Sequence, residues 1–76
     1  MTKREFLTAY RAALPAAYPW AHDAAKLDRF MESVEHTLGG AGTWTHDSDV
    51  AKRIWRESGR PVKTYTLKAL RALPEA

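Results

Sequence analysis

Cysteine is absent from this chain of 76 residues, which excludes a disulfide framework, a thiol nucleophile and a zinc–thiolate centre. Long apolar runs are absent too. The longest span a few residues, far short of the roughly 18 that cross a bilayer. The opening Met1-Thr2-Lys3-Arg4-Glu5 leads into no apolar stretch of signal-peptide length. A cytoplasmic protein that spans no membrane is the expectation, and the Met1 start and Pro74-Glu75-Ala76 tail suggest a whole small protein. Low-complexity segments and internal repeats are missing as well. Glycine and proline number four each, few enough to act as punctuation.

Acidic residues are scarce in one region only. From Ser48 to Leu73 the acids are Asp49 and Glu57, against Lys52, Arg53, Arg56, Arg60, Lys63, Lys68 and Arg71. The residues before Ser48 are nearly balanced, so the formal net charge of +3 arises almost wholly in this tract. A concentrated positive surface favours a polyanionic partner.

Composition is that of an ordinary globular protein, with three Trp, three Tyr and two Phe available for a core. At this length residues 1–76 form one domain, with an expected stability of about 4–11 kcal/mol.

Helical spacing dominates the chain. Phe6, Leu7, Tyr10 and Leu14 share one face of a helix over residues 3–14, capped by Thr2 and ended by Pro15. Tyr18 and Trp20 follow in a connection and are expected to close one end of the core. Asp23 caps a second helix with Leu27, Phe30, Met31, Val34 and Leu38 on its inner face. Gly39-Gly40-Ala41-Gly42 ends it and is the expected hinge.

Asp47 or Ser48 starts a third helix, with Val50, Ile54 and Trp55 inward and Gly59 as its stop. Thr64 or Thr66 caps a fourth, with Leu67, Leu70 and Leu73 as its apolar edge. A short extended segment near 62–66 is the rival reading there. The expected fold is an all-α, compact bundle of about four short helices, the last two arranged like a helix-turn-helix.

On the third helix Lys52 and Arg56 are neighbours, while Arg53 stands four residues from both Asp49 and Glu57, in position for an ion-pair ladder. Arg60 and Lys63 lie in the turn, and Thr64, Lys68 and Arg71 form a polar stripe on the fourth helix. These groups match phosphates spaced along a nucleic acid. In a helix-turn-helix the start of the second helix reads bases, which points to Thr64 and Tyr65 at base edges. Lys52, Arg56, Arg60, Lys63, Lys68 and Arg71 are then the phosphate contacts. The proline-containing turn from Gly59 to Lys63 is longer than the usual motif allows, which favours phosphate contact over base reading. The blander account is a solvated basic face, since helix C-termini attract Arg56 and Arg71 in any case.

Other constellations are weaker. His22-Asp23 and His46-Asp47 have the residue types of a metal phosphohydrolase, but the chain lacks room for the helical cage, and both aspartates suit helix caps. Glu32 and His36 offer one metal edge without a second. Gly39 to Thr43 follows a helix rather than a strand and lacks the lysine of a phosphate-binding loop. No catalytic triad or nucleophile elbow stands out.

Trp20, Trp44 and Trp55 read as core residues, with Trp20 or Tyr65 as the alternative stacking platform or interface anchor. The expectation is a non-enzymatic nucleic-acid-binding protein that needs no metal or cofactor, with DNA the favoured partner. The alternative is a protein-interaction module, an inhibitor or accessory factor of the kind frequent among phage and mobile-element products. A homodimer is compatible with either.

Overall fold

A computed structural model describes residues 1–41, 44 and 48–75. Four α-helices appear in the order α1 (Lys3–Ala17), α2 (Ala24–Leu38), α3 (Ser48–Glu57) and α4 (Leu67–Arg71). A 3₁₀ turn at Pro19–His22 joins α1 to α2, and another at Val62–Thr64 lies between α3 and α4. Among the described residues there is no strand. The architecture is the expected all-α bundle.

Local chemistry explains the helix starts. Thr2 accepts from the Glu5 N–H at 3.0 Å while Glu5 accepts from the Thr2 N–H at 2.8 Å, a reciprocal capping box. The Thr2 backbone N–H first, and then the Thr2 side chain, hold the Glu5 carboxyl below its ordinary range. Asp23 caps α2 by accepting from the Ala25 and Lys26 N–H groups. Thr66, rather than Thr64, caps α4 through the Ala69 N–H at 2.9 Å. The cap expected from Asp47 lies outside the described residues, as do Gly42, Thr43 and His46.

Two boundaries differ from expectation. α1 continues past Pro15 to Ala17, and the Tyr18 N–H closes it on the Leu14 carbonyl at 2.9 Å. Proline removes one donor and disfavours helical backbone in the residue before it. Leu14 is nevertheless fully buried, and packing its side chain holds the last turn in place. The extended segment shrinks to Tyr65 and Thr66, because Val62–Thr64 forms a 3₁₀ turn.

The core takes Phe6, Tyr10 and Leu14 from α1, Leu27, Met31, Val34 and Leu38 from α2, Val50, Ala51, Ile54 and Trp55 from α3, and Leu70 and Leu73 from the C-terminal end. Tyr10 is its hub, stacked on Phe6 at 5.4 Å and edge-on to Trp44 at 5.6 Å. Leu7, Phe30 and Leu67 are half-buried at the rim. Tyr18 stacks on Trp20, and Trp20 meets Phe30 at 5.0 Å, so these rings close one end of the bundle as expected. α1 lies against both α2 and α3, while α4 rests on α2. The two ends of the chain are clasped: the Lys3 N–H donates to the Pro74 carbonyl and Lys3 Nζ pairs with Glu75, each at 2.7 Å.

Candidate nucleic-acid interface

The basic region is organised by how α3 ends and what its last tryptophan holds. Gly59 adopts φ +90°, the left-handed conformation that glycine takes without steric cost. The Gly59 N–H donates to Arg56, and the chain turns back across Trp55. Trp55 Nε1 then donates to the Pro61 carbonyl at 3.2 Å and to Thr64 Oγ1 at 3.1 Å. Thr64 Oγ1 donates in turn to the Pro61 carbonyl at 2.7 Å. Tyr65 closes edge-on against the indole at 5.8 Å, and the Arg60 guanidinium lies over its ring at 4.9 Å. The segment from Gly59 to Tyr65 is thus stapled to α3.

On the outside of that staple, Lys52, Arg53 and Arg56 share a shallow cleft of about 200 Å³ with Asp49 and Val62. The three cations are exposed. Val62, 38 % exposed, is the exposed large hydrophobic residue among those described. Lys63 is exposed beside it on the 3₁₀ turn, and Arg60 is half-buried by its seat on Trp55.

Lys52 and Arg56 therefore stand together as expected, and Arg53 joins them. Of the expected ladder, Arg53 and Glu57 form no ion pair among the described residues. Exposed pairs of this kind are worth only a few tenths of a kcal/mol, too little to impose a side-chain geometry.

Lys68 and Arg71 are placed differently from the others. Both are exposed on α4, which rests on α2. Arg71 Nε donates to the Thr37 carbonyl at the C-terminal end of α2 at 2.9 Å, where a cation also meets the negative end of the helix dipole. Thr37, a buried polar residue, uses its hydroxyl to accept from the Trp44 N–H at 3.1 Å. Arg71 is thereby part of the packing that holds α2, α4 and Trp44 together.

Of the two residues expected to face bases, Thr64 is exposed and Tyr65 is buried. Tyr65 is 8 % exposed, with its ring against Trp55. The Thr64 hydroxyl is occupied by Trp55 and Pro61. Sequence reasoning set aside Arg53 and did not single out Val62. The residue Val62 could have been noticed as an aliphatic between Pro61 and Lys63 that fits no helical face.

Other surfaces carry less chemistry. A hollow between the chain ends is lined by Lys3, Arg4, Leu7, Glu35 and Glu75, and Lys3 and Glu75 neutralise each other there. Among the described residues no His, Asp and Glu cluster could hold a metal ion, and no helix is long and apolar enough to cross a membrane. No family model matches the chain, and neither a curated protein nor a solved structure similar to it was found.

Proposed function

We propose that the protein binds nucleic acid through the exposed surface of α3 and the following turn, with Lys52, Arg53 and Lys63 on phosphates and Arg56 beside them in the basic cleft. The convergence of Lys52, Arg53 and Arg56 on one cleft is the observation that carries this reading. Cations held on a folded surface release condensed counterions when they meet a phosphate row, and this favours association at low salt. The stapled turn supports the same reading, because less conformational freedom is lost on binding. Among the described residues the exposed surface offers Val62 as its large hydrophobic group, whereas an interface driven by apolar burial needs a patch of several hundred Å².

Fluorescence anisotropy with mixed-sequence DNA at about 50 mM salt tests the proposal. Binding is expected, and simultaneous charge reversal by Lys52→Glu, Arg53→Glu and Arg56→Glu abolishes it. Absence of binding by the unmodified protein contradicts the proposal.

A further inference from the structure

Resting on the nucleic-acid reading above, we propose that α3, and not α4, is the helix that enters the major groove of duplex DNA. A helix-turn-helix reading assigns that task to the second helix of the pair, but here the second helix is poorly suited to it. α4 has 5 residues, about 7.5 Å at 1.5 Å per residue. One of its two cations, Arg71, is bonded back to Thr37. The residues leading into it are turned inward or occupied, as Tyr65 and Thr64 show.

α3 has the dimensions and the exposed cationic face that α4 lacks. Its 10 residues extend about 15 Å. Val50, Ala51, Ile54 and Trp55 are buried, and at 100° per residue Asp49, Lys52, Arg53 and Arg56 occupy the opposite arc. An α-helix about 10–12 Å across fits the major groove of B-DNA, about 12 Å wide. Lys52 and Arg53 flank that arc and are placed to reach phosphates on either side of the groove. Arg56 lies at its centre, where a guanidinium can donate to guanine O6 and N7. Asp49 also lies near the centre.

The aromatic residues separate duplex from single strand. Proteins that hold single strands stack bases on aromatic rings along a basic groove. The rings nearest the basic cleft in the fold, Trp55 and Tyr65, are both buried, and Arg60 lies over Trp55. Tyr18 and Trp20, half-exposed, belong to the turn between α1 and α2. Among the described residues the cationic face thus offers charge and Val62 but no stacking platform. Duplex RNA is disfavoured for another reason: its deep, narrow major groove does not admit a helix.

Anisotropy at about 50 mM salt with a short mixed-sequence DNA duplex, its isolated strand and the matching RNA duplex provides the test. The DNA duplex is expected to bind at least about tenfold more tightly than either other probe. Arg53→Gln and Arg56→Gln are each expected to weaken duplex binding about tenfold, and Lys68→Gln less than about twofold. All three side chains are exposed, and matching thermal melts verify that the variants remain folded. Equal affinity for the single strand or RNA duplex, or a loss on Lys68→Gln as large as on Arg56→Gln, overturns the assignment to α3 while nucleic-acid binding stands. Absence of binding to every probe overturns both.

Discussion

Trp55 shows how one side chain both stabilises the core and shapes the surface above it. Its indole is buried, yet its N–H reaches Pro61 and Thr64 and its face carries Arg60. Trp55→Phe keeps an aromatic ring and removes the donor, so a loss of about 1–2 kcal/mol is expected in urea unfolding. Glu5 acts at the start of α1, and its contribution depends on pH. Its carboxyl is held below the ordinary glutamate range in the folded protein because it accepts from the Thr2 N–H. The charged form therefore stabilises α1 at neutral pH, and this stabilisation is lost in acid as the carboxyl is protonated. Unfolding midpoints of the parent and Glu5→Ala should differ most near neutrality and converge in acid.

Individual charges were countable from the sequence, but their partners were not. Arg53 and Glu57 have ideal four-residue spacing, and still no ion pair joins them among the described residues. Arg71, which sequence spacing assigned to a ligand, instead bonds a carbonyl 34 positions away. Neither outcome is encoded in local spacing, since one depends on weak surface energies and the other on how α4 meets α2.

At the scale of elements, apolar periodicity identified all four helices, because each must bury one stripe. The ends were less legible. Pro15 is a strong local stop signal, but it is overridden by the burial of Leu14. Near residues 62–66 the β-favouring Val62 and Tyr65 suggested a strand, and the Trp55 hydrogen bonds fold the first part into a 3₁₀ turn instead. The seat of α4 on α2 yields a prediction that separates packing from binding. Arg71→Ala should reduce stability by about 1 kcal/mol in denaturant titration, given the bond to Thr37 and the residue's partial exposure. DNA affinity measured with that variant below its unfolding transition should change less than about twofold, compared with about tenfold for Arg56→Gln.

Taken as a whole, the molecule separates its core from its basic surface. The radius of gyration of 11.8 Å is close to the roughly 11.4 Å expected for a compact chain of this length. Its core draws on every helix, with the ends joined through Lys3, Pro74 and Glu75. The basic cleft lies outside that core, so charge can be altered there with little loss of stability. Sequence composition revealed the excess of positive charge in the C-terminal region. Its division into an α3 cluster and the separately seated α4 required the three-dimensional arrangement.

The most direct test of nucleic-acid binding by the α3 surface is the salt dependence of duplex DNA affinity. If Lys52, Arg53 and Lys63 each neutralise one phosphate while Arg56 meets base edges, log affinity should fall against log salt with a slope of about −2.7. The slope should become shallower by about 1 for each of Lys52→Gln and Lys63→Gln. No measurable binding at about 50 mM salt, or a slope unchanged by those substitutions, would contradict the account.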